Sequence, residues 1–118
     1  MSPTASPRAR LAHIRDEIAG LTAALGETDY SNFAATYWMV RTTERAILIV
    51  AEAAKALPKD LTARYPEVEW QALNGMANIL RHEYQRVEPR VLWRVVTDSF
   101  PRLASVVERM IAEDEGRG

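Results

Sequence analysis

Residues 11–25 read LAHIRDEIAGLTAAL, and Leu11, Ile14, Ile18, Leu21 and Leu25 recur at intervals of three and four. That spacing gathers all five on one stripe of an α-helix and would scatter them over both faces of a strand. It therefore predicts an amphipathic helix, with Gly26 placed to end it. Toward the C-terminus the same period continues. Ser31 is a capping residue, and Phe33, Tyr37, Val40, Ile47, Ala51 and Ala54 follow with no Gly or Pro before Pro58. One helix of about seven turns is expected there, with Arg41 to Glu44 as a polar interruption.

The stretch KDLTARYPEVEW, residues 59–70, suggests a short helix and a turn, because Pro66 bars a continuous helix. A new helix is expected from about Glu69, with Trp70, Leu73, Met76, Ala77 and Leu80 on its apolar face. Arg81, His82, Glu83 and Tyr84 fall in its last turn or just beyond. Glu88 and Pro89 open the final helix, acid in front and proline at the first helical position. Its inward residues are Val91, Leu92, Val95 and Val96, then Leu103, Val106, Val107, Met110 and Ile111, with a kink or break at Pro101. Trp38, Trp70 and Trp93 sit at core-like positions and read as packing residues. The fold class is all-α, an up-and-down bundle of four main helices plus a short one, with apolar faces broad enough to be buried against a second copy. Residues 10–112 form the single domain, between a flexible N-terminal segment (1–9) and a flexible tail (113–118).

Composition removes several kinds of function. The 118 residues carry 15 Lys and Arg against 16 Asp and Glu, a net charge of −1, so bulk charge does not favour coating nucleic acid or an anionic membrane. There is no cysteine, which excludes a disulfide frame, a thiolate nucleophile and a thiolate metal site. No apolar run reaches 18 residues and no targeting segment is visible, so the expected location is the cytoplasm. Glycines are dispersed, leaving no phosphate loop or dinucleotide fingerprint, and no paired-histidine spacing suggests a metal.

Acid–base chemistry rests on two histidines. His13 lies between the stripe positions of the first helix and reads as an exposed or partly packed helix residue. His82 belongs to a cluster with Asn78, Arg81, Glu83, Tyr84 and Arg86, where an imidazole has cationic and hydroxyl neighbours within one or two turns. It reads either as part of a site or as a solvated helix end, because a helix C-terminus attracts Arg and His. Between Arg81 and Arg102 five Arg face Glu83, Glu88 and Asp98, a locally basic stretch. Glu52 projects from an apolar part of its helix and is placed to face the His82 helix, either as a structural carboxylate at a buried edge, paired with an Arg, or as a catalytic acid.

The segment VEWQALNGMANILRHEYQRVEPRVLWRVVTDSFPRL, residues 68–103, resembles the hallmark segment of HepT-like proteins of the HEPN class. There a Trp, a Gly-Met-Arg-Asn-like stretch, His-x-Tyr, Val-Trp and Leu-Pro-x-Leu follow at these intervals. Upstream, AILIVAEAAKALPKDLTARYPEVEW, residues 46–70, is similar to the same family, and the likeness runs from Arg10 to Met110. The resemblance implies an all-helical symmetric homodimer, the toxin of a toxin–antitoxin pair, acting as a metal-independent endoribonuclease with no cofactor. Its RNA-cleaving site, an Arg and a His separated by four to six residues, is composed at the dimer interface. The His matches His82, and Tyr84 matches a Tyr that the partner antitoxin, a nucleotidyltransferase of the MntA type, can adenylylate. Asn78 and Glu52 would line the cleft.

The usual Arg is missing: Ala77, Met76 and Gly75 occupy the possible positions, and the nearest guanidinium is Arg81. Three explanations stand side by side: a subgroup that uses Arg81 with His82, a natural non-nucleolytic member, or a replacement of Arg at Ala77 by engineering. Two functions follow from them. One is an endoribonuclease toxin impaired by Ala77; the other is a non-nucleolytic module that binds a nucleotidyltransferase as substrate or scaffold.

Overall fold

Helix α1 spans Pro7–Leu25. Ser6 caps it, its hydroxyl accepting from the Ala9 amide at 3.1 Å, and Pro7 occupies the first turn where no N–H is needed. The helix ends at Gly26, whose φ of 62° lies in the left-handed region and whose N–H reaches the Thr22 carbonyl. All five residues of the expected stripe are buried. Burying one Leu or Ile contributes about 1.5–3 kcal/mol, so the stripe, rather than intrinsic propensity, holds α1 against its neighbours. The computed structural model describes residues 6–116; among these no strand occurs, and the all-helical class stands. Residues 1–5 and 117–118, parts of the expected N-terminal segment and tail, lie outside the described residues.

The single seven-turn helix does not form. Asp29, not Ser31, caps a short α2 (Tyr30–Ala35), its carboxylate accepting from the Asn32 amide at 2.9 Å. Thr36 then leaves helical geometry at φ −106° and ψ 106°, with its hydroxyl donating to the Asn32 carbonyl, before α3 runs from Tyr37 to Lys55. A β-branched residue that bonds its own local backbone offers the chain an alternative to the helix, and neither Gly nor Pro is required for the break. The step resets the helical phase. Phe33 still reaches the core, where its ring lies 5.1 Å from that of Trp93. Tyr37, assigned to the buried stripe from sequence, is 74% exposed, and Trp38, read there as a packing residue, is 47% exposed. Thr43, inside the expected polar interruption, is fully buried and satisfies its hydroxyl on the Met39 carbonyl at 2.8 Å.

Beyond α3 come α4 (Lys59–Thr62) and a turn, then α5 (Trp70–Glu83), which runs into a 3₁₀ turn at Tyr84–Arg86. Trp70 anchors the start of α5, its indole N–H donating to the Tyr65 carbonyl at 3.1 Å. The last helical stretch comprises α6 (Pro89–Arg94), a π-helical turn at Val95–Ser99 and α7 (Phe100–Gly116). Pro101 has no N–H and its ring crowds the preceding turn; widening that turn by one residue absorbs both effects, so the helix continues through the proline. α1 packs on α3 and α7, and α5 packs on α3. α1 and α7 extend a few residues past the expected domain limits, and Arg8 of α1 pairs with Glu115 of α7. No helix among the described residues is long and apolar enough to cross a membrane.

Candidate functional site

The C-terminal turn of α5 carries Asn78, Arg81 and His82 on a helix whose inner side is fixed by buried Ala77 and Leu80. Arg81 is held from two directions. One guanidinium nitrogen donates to the Asn78 side-chain oxygen at 2.9 Å, and another to the Glu52 carboxylate of α3 at 2.8 Å. Glu52 is exposed, not set at a buried edge, but the expected pairing of this carboxylate with an Arg is present. With Glu52 72% and Arg81 33% exposed, such a pair contributes little to stability, about 0.2–1 kcal/mol. It orients a guanidinium.

His82 follows directly and is exposed, with no hydrogen bond or ion pair among the described residues. Both ring nitrogens are open to a ligand or a second chain. Tyr84 lies in the 3₁₀ turn, 53% exposed, and the Arg41 guanidinium stands 5.1 Å from its ring. Arg41 also stands 5.2 Å from the Tyr37 ring and donates to both oxygens of Glu44 at 2.7 and 2.9 Å. Glu44, and after it Tyr37, raise the affinity of Arg41 for its proton. The break at Thr36 thus has a local consequence: it turns Tyr37 outward to join Tyr84 and Arg41 in one surface cluster, which the continuous-helix reading hid.

Ala77, where the family resemblance expects the site Arg, is fully buried. A guanidinium there would start inside the packed face of α5, whereas Arg81, one turn on, reaches open solvent. The expected basic stretch is also largely neutralised. Arg81 pairs with Glu52, Arg86 with Glu83 and Arg102 with Asp98, while Arg90 lies 4.3 Å from the ring of Tyr30. No group of three His, Asp or Glu side chains among the described residues could hold a metal ion.

Residues 14–110 match the family described as ribonuclease HepT-like. The chain belongs to the HepT-like family. One relative of this HepT-like chain, from Caldanaerobacter subterraneus subsp. tengcongensis, bears the name "Putative RNase"; it is 28% identical over 93% of this chain and 98% of its own length. A "Probable ribonuclease HepT" from Thermococcus cleftensis is 36% identical over 56% of this chain and 60% of its own. A further "Putative RNase", from Methanocaldococcus jannaschii, is 29% identical over 86% and 82%. No solved structure matches. Within the HepT-like chain, His82, Arg81, Asn78 and Glu52 are brought to one end of α5, and Tyr84 sits at the turn that follows.

Proposed function

We propose that this HepT-like chain is an endoribonuclease toxin that cuts RNA without a metal, in a cleft formed by two copies of the chain. The observation that carries the reading is the end of α5, where a fixed guanidinium at Arg81 adjoins an unengaged imidazole at His82. In the reaction the 2′-oxygen of a ribose attacks the adjacent phosphorus, the P–O5′ bond breaks, and a 2′,3′-cyclic phosphate and a 5′-hydroxyl result. One His82 takes the 2′-proton and the His82 of the second copy gives a proton to the leaving 5′-oxygen. Arg81 binds the phosphate oxygens, where paired donors best stabilise the developing charge. Glu52 and Asn78 are positioning residues for Arg81.

A nucleotidyltransferase of the MntA type silences the toxin by transferring AMP from ATP to the Tyr84 hydroxyl, which loses its proton as pyrophosphate leaves, and the exposure of Tyr84 permits this. The buried Ala77 favours a second reading, a non-nucleolytic module that serves the nucleotidyltransferase as substrate or scaffold. Incubation of the purified protein with RNA in EDTA separates the two. The first reading expects fragments ending in 2′,3′-cyclic phosphate, absent with His82→Ala. An inert wild type that forms a stable complex with the nucleotidyltransferase, Tyr84 remaining unmodified, overturns the nuclease in favour of the module.

A further inference from the structure

Seven of the twelve described arginines have an acidic partner. Two that do not, Arg10 of α1 and Arg45 of α3, line one depression of about 440 Å³ together with His13, Glu52 and Arg81. Leu48, Ile49 and Ala53 add an apolar part to its lining. No hydrogen bond or ion pair engages the side chains of Arg10, His13 or Arg45 among the described residues, so the depression gathers two unpaired guanidinium groups and an imidazole around a single carboxylate. That carboxylate is already shared with Arg81. Converging guanidinium groups without counter-charges repel one another and attract an anion, and Arg presents paired donors matched to phosphate. The volume lies in the range that accommodates small-molecule ligands, and the lining combines apolar side chains with a few convergent polar groups.

We infer that this depression between α1, α3 and the end of α5 is a second phosphate subsite for the RNA strand, in which Arg10, His13 and Arg45 hold a nucleotide next to the one bound by Arg81. Arg81 is the link. Arg81 lines the depression, and His82, its neighbour in the chain, is the imidazole assigned above to the scissile phosphate, so a strand seated in the subsite is led toward it. Glu52 competes with phosphate for Arg81. The subsite rests on the reading of RNA as substrate, and it uses residues of α1 and α3 that lie far in sequence from the segment around His82.

Binding of a fluorescein-labelled single-stranded RNA to the full chain, followed by anisotropy across a salt series, tests it. The His82→Ala background prevents cleavage. On that background Arg10→Ala with Arg45→Ala weakens binding by about tenfold or more, and the slope of log K against log salt becomes shallower by about 1.4, roughly 0.7 for each phosphate of a single strand that is no longer neutralised. A control of equal charge change away from the depression, Arg64→Ala with Arg94→Ala, leaves the affinity within about threefold. Glu52→Gln, which removes the competing charge but keeps the shape, binds RNA more tightly. Equal effects of the two double variants, or weaker binding by Glu52→Gln, overturn the subsite and leave the nuclease reading intact where the wild type cleaves. Binding that depends on Arg10 and Arg45 in a chain that does not cleave supports the subsite and overturns the nuclease reading alone. Absence of both binding and cleavage overturns both.

Discussion

Replacing Arg81 by Ala breaks an ion pair and a hydrogen bond that matter little to the fold and removes the charge that the proposed cleavage sets against the phosphate. The ion pair to Glu52 at 2.8 Å joins a carboxylate that is 72% exposed to a guanidinium that is 33% exposed, and a pair so placed contributes about 0.2–1 kcal/mol. The hydrogen bond to Asn78, three residues away on the same helix surface, adds about 0.2–0.5 kcal/mol. Together they amount to about 1 kcal/mol, which for a domain of this size lowers Tm by about 4 °C. The loss of a donor aimed at developing charge is larger, about 10²–10³ in kcat or 2.7–4 kcal/mol. The variant should therefore melt within a few degrees of wild type while its RNA cleavage falls by two orders of magnitude or more. Differential scanning fluorimetry and single-turnover cleavage of a labelled RNA in EDTA measure the two quantities on one preparation. Glu52→Gln keeps the side chain's shape but loosens the guanidinium, so it should cleave more slowly than wild type by a smaller factor than Arg81→Ala. Unchanged cleavage by Arg81→Ala would refute the phosphate role. A fall of about 15 °C or more with proportionate loss of activity would make Arg81 a strut instead.

Other substitutions probe different parts of the structure. Ala77→Arg places a guanidinium at a fully buried position, so denaturant unfolding should show a loss of at least about 2 kcal/mol, while Gly75→Ala, on the exposed side of the same helix with open space at its Cβ, should gain about 0.5–1 kcal/mol. A more stable Ala77→Arg protein would contradict the packing of α5. Leu92→Ala, at a residue with no exposed surface, should cost about 2–5 kcal/mol in the same experiment. The Glu67 carboxylate is held below its ordinary pKa first by its own backbone amide and then by Arg109. Its contribution is thus present above the unfolded-state pKa and is lost as the pH falls through the folded-state value. Glu67→Gln should flatten the dependence of Tm on pH below about 4.5, and an unaltered acid limb would refute the assignment. Tyr84→Phe should abolish the AMP mass increment after incubation with the nucleotidyltransferase and ATP, and an increment that persists would place the modification elsewhere.

Where sequence reading failed, the reasons are physical. The stripe of α1 was legible because every member faces one layer of core and Gly26 supplies a left-handed stop. The α2–α3 boundary was not, because Thr36 breaks the helix by bonding the Asn32 carbonyl, a competition between two local arrangements that residue type alone does not settle. That one step turned Tyr37 and Trp38 outward. Pro101 announced a disturbance but not its form; a π-helical turn keeps α6 and α7 in line where a break was equally available. Around the site, RHEY at 81–84 was visible, whereas His13 read as an ordinary helix residue. Nothing in its own surroundings along the chain signals Arg45, which reaches the same depression from another helix.

The sequence by itself determined the helical class, the buried stripe of α1 and the family, since these depend on periodicity and on residues close together along the chain. The tertiary structure alone decided that Ala77 is sealed inside while Arg81 is held outward by Glu52, and that Arg10, His13 and Arg45 share one concave surface. Periodicity specifies which side of a helix is apolar; it does not specify which charged residues of different helices meet. That depends on how α1, α3 and α5 pack, and there the free cations and the bound guanidinium were sorted from a chain whose total charge is nearly balanced.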